Sequence, residues 1–166
     1  MKTSELLLDA HGRIQEVLHD VVAGLDDKSL AARPGETANS IAWLVWHLTR
    51  VQDDHLADAG GYDQVYTADG WHERLGLPLT AADTGYAHTS DQVALVQLSA
   101  DQLLGYYDAV HARTVQFLGT VTDEGLDRIV DKRWDPPVSL GVRLVSVIDD
   151  CAQHAGQAAY VKGLLS

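Results

Sequence analysis

Apolar residues recur at steps of three and four in four stretches of the chain, and each stretch predicts an amphipathic helix. The first covers residues 4–25, where Leu7, Ile14, Leu18, Val21 and Leu25 share a face and His11 fills the step between Leu7 and Ile14. Gly24 and the polar Asp26-Asp27-Lys28 end it, and a short turn over residues 29–32 leads to the stop Arg33-Pro34-Gly35. The second helix starts after Asn39 or Ser40, both good N-cap residues, and its seam reads Ile41, Leu44, Leu48, Val51 until Gly60-Gly61. Residues 62–89 keep no sustained period, apart from a short helix around residues 69–75. The third helix runs from Ser90 or Asp91 to about Val121, with Val96, Ala100, Leu103, Tyr107, Val110, Thr114, Phe117 and Val121 in steps of three to four. Trp134-Asp135-Pro136-Pro137 cannot be helix interior, because two prolines remove two donors and fix an extended chain. The last helix takes residues 139–165, packing through Leu144, Ile148, Cys151, Ala155 and Ala158.

Four long helices and no strand candidate make the expected architecture an all-α four-helix bundle, one domain over residues 1–166, with a long connection between helices 2 and 3. A connection of that length is either functional or packed as a cover; a lid over substrate and a contact between two copies in a homodimer are both open for it.

Composition narrows the partners. The net charge is −12 and the 12 basic residues form no dense cluster, which argues against nucleic acid as a ligand. Acidic pairs such as Asp26-Asp27 and Asp53-Asp54 read as solvated faces. No stretch approaches the roughly 20 apolar residues that span a bilayer, and the N-terminal segment lacks the features of a signal peptide, so the expected location is the cytoplasm. The single cysteine, Cys151, lies on an apolar helix face and reads as an inert packing residue.

The chemistry gathers on two helices. Asp150 and His154 stand four residues apart on the last helix, so a carboxylate and an imidazole share one face about 5–6 Å apart and can grip one cation. The same spacing also suits a plain Asp–His hydrogen bond. His47 sits in Trp43-Leu44-Val45-Trp46-His47-Leu48, a segment too apolar to be solvated, so its ring must hydrogen-bond or coordinate. It offers the third ligand that most metal sites need. His11 occupies a seam position from which it could support the same cavity from behind. Arg143 shares the stripe of Asp150 and His154 and is a candidate clamp for a substrate anion, with a surface ion pair as the alternative. Gln157 could bind substrate or orient His154.

Taken together, residues 39–48, Trp134-Asp135-Pro136-Pro137 with Gly141-Val142-Arg143-Leu144, and the D-x-x-x-H-x-G-Q run of residues 150–157 resemble the DinB/YfiT-like superfamily. The resemblance is to its actinobacterial branch, near mycothiol-dependent maleylpyruvate isomerase and related thiol S-transferases. It implies a four-helix bundle with a divalent metal at one end, held here by His47, Asp150 and His154. Aspartate at 150 departs from the His or Glu of relatives, and its side chain is one methylene shorter than Glu. Two neutral imidazoles and one carboxylate suit Zn²⁺, and also Ni²⁺, Co²⁺ or Mn²⁺. The function so implied is transfer of a low-molecular-weight thiol, such as mycothiol, to a small electrophile. A metal-dependent hydrolase or isomerase and a non-catalytic metal-binding stress module are the alternatives.

Overall fold

The computed structural model describes residues 1–165. Its elements are α1 (Thr3–Val22), α2 (Asp27–Ala31), α3 (Ile41–Gly60), α4 (Val65–Ala68), α5 (Trp71–Leu75), α6 (Ser90–Ala94), α7 (Ala100–Leu118), β1 (Ile129–Asp131), β2 (Val138–Ser139) and α8 (Leu140–Leu165), with a 3-10 turn at Glu124–Asp127. The long helices α1, α3, α7 and α8 form the bundle. Helix α3 packs against α8 and α7, and α1 packs against the same two, so α1 and α3 stand diagonally opposed. The core is a single cluster that includes Leu18, Ile41, Leu44, Leu48, Leu103, Val110, Leu144 and Cys151.

Three local features differ from the sequence reading. The third long helix starts at Ala100, because two capping boxes punctuate the segment. Thr89 exchanges hydrogen bonds with Gln92 and caps α6, and Ser99 does the same with Gln102 and caps α7. The turn after α1 is itself a short helix, α2, capped by Asp26 through the Ser29 N–H at 2.8 Å. Two short strands flank the prolines, pairing Ile129 with Ser139 and Asp131 with Val138 in antiparallel register. β-Branched residues at Ile129, Val130 and Val138 supply the local preference.

The long connection covers α3. Residues 41–53 are buried all the way round, on one side by the bundle and on the other by residues 62–98. Asp53 is therefore not on a solvated face. It is 2% exposed, and it accepts from the N–H groups of Val65 (2.9 Å) and Tyr66 (2.8 Å) at the start of α4 and from Tyr106 Oη (2.8 Å). Unpaired amides at a helix start favour a carboxylate, which stabilises its burial. Among the described residues no helix is long and apolar enough to cross a membrane.

Candidate metal centre

Because α3 and α8 pack along their length, His47 on α3 comes to face Asp150 and His154, one turn apart on α8. One ligand atom from each of the three lies within 4.8 Å of the other two. The imidazoles of His47 and His154 meet edge to face with centroids 4.7 Å apart, and His154 Nε2 lies 3.7 Å from Asp150 Oδ1. His47 is buried, and the α8 pair is half-buried at the margin of the core.

Each ring is held through its Nδ1. In His47, Nδ1–H donates to the Thr84 carbonyl oxygen at 2.5 Å, and that oxygen can only accept, so the proton is on Nδ1 and Nε2 keeps a lone pair. His154 Nδ1 lies 2.9 Å from Gln157 Oε1, and donation there frees its Nε2 in the same way. Burial lowers the His47 pKa below the ordinary imidazole value, against the raising effect of the Thr84 carbonyl, and favours the neutral, ligating form. Trp43 stacks on the His47 ring, with centroids 4.6 Å apart and planes 15° from parallel. Asp150 Oδ2 is buried and has no hydrogen-bond partner. A buried carboxylate oxygen without a donor is costly. Two aimed imidazole lone pairs beside such an oxygen fit a divalent cation.

Two of the three side chains, His47 and Asp150, open onto a cleft of about 780 Å³. His47 and Asp150 line it together with Val51, Val142, Arg143 and Trp134. Arg143 is 7% exposed, so the surface ion pair does not describe it. Its Nη2 donates to Asp131 Oδ2 at 3.0 Å, and its Nη1 donates to His55 Nδ1 at 2.5 Å. The β1–β2 pair supplies Asp131, whose other contacts come from Arg133 through its backbone N, Nε and Nη2. These hydrogen bonds from Arg133, with the charge of Arg143 behind them, hold the Asp131 carboxyl well below its usual range. Burial first, and Arg143 second, push the His55 pKa down, consistent with a neutral ring that accepts from the guanidinium.

The remaining predicted residues fall in two places. Gln157 is at the site, bonded to His154. His11 is fully buried elsewhere in the core, near Gln52 and His111; neither of its ring nitrogens is in a hydrogen bond, and none links it to His47, Asp150 or His154 among the described residues. Sequence reasoning missed three contributors: Thr84, Gly85 and His55. The signal available for Gly85 was a glycine in an aperiodic segment, and its φ of +93° is the left-handed kind that favours glycine. Nothing in the sequence marks a backbone carbonyl such as that of Thr84.

Fold and site together define a DinB-like helical bundle with a His/Asp/His cluster at the joint of α3 and α8. The chain matches the family model described as Mycothiol-S-transferase over residues 7–166. It thus belongs to the mycothiol S-transferase family, an enzyme family of the DinB/YfiT-like kind. It is also similar to a crystal structure described as the conserved protein of locus from Enterococcus faecalis, at 31% identity and a TM-score of 0.92, covering 99% of this chain and 98% of that one. No curated protein matches the chain.

Proposed function

We propose that this chain transfers mycothiol to a small electrophile, using a divalent metal, zinc, held by His47, Asp150 and His154. The observation that carries the metal is the orphaned Asp150 Oδ2 beside two imidazoles whose Nδ1 atoms are both engaged elsewhere. Bound there, the cation would lower the pKa of a thiol so that sulfur is available as the thiolate near neutral pH.

The chain's own residues supply the rest. Asp150 contributes the one negative charge of the donor set, so a dication held there keeps an excess positive charge that favours an anionic sulfur. The chain offers no competing thiol of its own, because its single cysteine, Cys151, is fully buried and its pKa is driven far up by desolvation. Arg143 faces the cleft with two of its five donors committed, which leaves N–H groups for an anionic or carbonyl oxygen of a substrate. Tyr86 and Trp134, both strongly exposed, line the cleft and offer flat apolar surface for an electrophile.

The test is a thiol-consumption assay with zinc-loaded and metal-stripped protein, mycothiol, and a bimane or chlorodinitrobenzene acceptor. Conjugation by the loaded protein, lost on stripping and in His154→Ala, is the expected result. Equal rates with and without protein across several acceptors would overturn the reading, and turnover without thiol would point to a hydrolase.

A further inference from the structure

Thr84 and Gly85 touch the His47 imidazole, but they belong to a loop, and Arg50 is what pins that loop. Arg50 stands one turn beyond His47 on α3 and is fully buried. Its Nε donates to the Asp83 carbonyl at 3.1 Å and its Nη2 to the Ala81 carbonyl at 3.1 Å. Its Nη1 donates to Gln64 Oε1 at 2.9 Å and to Tyr106 Oη at 3.2 Å. Asp53 lies 3.6 Å away and balances the charge, and the guanidinium lies over the Tyr66 ring. At the far end of the loop, Trp43 Nε1 donates to His88 Nδ1 at 3.2 Å. Three successive turns of α3, carrying Trp43, His47 and Arg50, therefore grip residues 81–88 at three points.

Gly85 makes the middle grip possible. A Cβ on it would stand 2.6 Å from His47 Nδ1 and 3.2 Å from Trp43 Cζ2, and the neighbours are rings packed in the core. Any side chain at 85 must lift the loop from the imidazole, on steric grounds and because φ is +93°.

We propose that Arg50 and Gly85 are positioning residues of the metal centre: the loop that Arg50 locks and Gly85 lets close holds the Thr84 carbonyl on His47 Nδ1–H, and so fixes Nε2 as the ligating atom. This rests on the metal reading above. Partners that orient a ligating histidine are commonly worth about 10- to 100-fold in metal affinity. Arg50 differs from a surface arginine because all of its donor nitrogens serve the loop and its supports.

The test compares wild type, Gly85→Ala and Arg50→Lys, each stripped of metal. Lysine keeps the charge beside Asp53 but has one donor nitrogen in place of the planar fork whose Nε and Nη2 reach the two carbonyls. Zinc affinity is measured by competition with a chromophoric chelator. The tautomer of His47 is read from ring ¹⁵N shifts of the metal-free protein above the pH range of imidazole titration, and circular dichroism reports folding. The expected result is a zinc affinity about 10- to 100-fold weaker in Gly85→Ala with unchanged helicity, and a loss of the pure Nδ1–H tautomer seen in wild type. Arg50→Lys should shift both readouts in the same direction. Wild-type zinc affinity in a folded Gly85→Ala overturns the positioning role and leaves the metal reading standing. If wild type itself takes up no zinc, the metal reading falls, and an unchanged tautomer in Gly85→Ala then overturns the positioning role separately.

Discussion

At the scale of single residues, the Asp150 carboxylate and the His11 imidazole are buried polar groups with opposite consequences. The unpartnered oxygen of Asp150 sits where a cation would satisfy it, so Asp150→Ala removes both the proposed ligand and the negative charge. Protein purified without a nickel column should carry about one metal ion per chain in wild type and little in Asp150→Ala, as read by elemental analysis. His11 faces no such partner. Burial, with His111 as a second cause, lowers its pKa from 6.5 to about 4. The unfolded chain therefore binds a proton that the folded chain refuses between those values, and the stabilisation is present above the unfolded pKa and lost as the pH falls toward the folded one. Wild type should lose about 2 kcal/mol of unfolding free energy through this residue between pH 7 and pH 5. Urea titrations at the two pH values should show a smaller loss in His11→Leu; an identical pH dependence would refute the assignment.

At the scale of elements, the capping boxes decide where helices begin. A continuous apolar period over residues 90–121 suggested one helix, yet Thr89 with Gln92 and Ser99 with Gln102 divide it in two. Both boxes are visible in the sequence as T-S-D-Q and S-A-D-Q, and periodicity hid them because Val93 and Val96 happen to point inward as well. Ser99→Ala should lower stability by about 1 kcal/mol, measured as a shift in the urea midpoint with unchanged slope. The strands β1 and β2 were less legible, since three- and two-residue strands carry no period to detect. Their role is to bring Asp131 against Arg143, so Asp131→Ala should free the guanidinium and raise KM for the electrophile more than it lowers kcat.

At the scale of the whole molecule, the proposed zinc site would link ligand and fold through the joint of α3 and α8. Zinc bound only to the folded chain should stabilise it by about 2.7 kcal/mol at a concentration one hundred times its Kd. Differential scanning calorimetry should show a rise in Tm on adding zinc that vanishes in Asp150→Ala. An equal rise in the variant would place the binding elsewhere. The acidic surface does not enter this linkage directly, since most of its carboxylates are exposed and screened by salt.

The heptad-like periods determined the four long helices by themselves, because each must bury one apolar stripe, and a spacing of four put Asp150 and His154 on one face. The motif around His47 carried the family resemblance, and the fold then brought His47 to them. Only the tertiary structure decided the tautomers, the reach of Arg143 to Asp131 and His55, and the reason a glycine stands at position 85. Most of these depend on backbone carbonyls and on contacts far apart in the chain, such as His47 with Thr84 at 37 positions and Arg143 with His55 at 88. Side-chain identity along the chain encodes which face of a helix is apolar; it does not encode which distant carbonyl will meet an imidazole once the faces have packed.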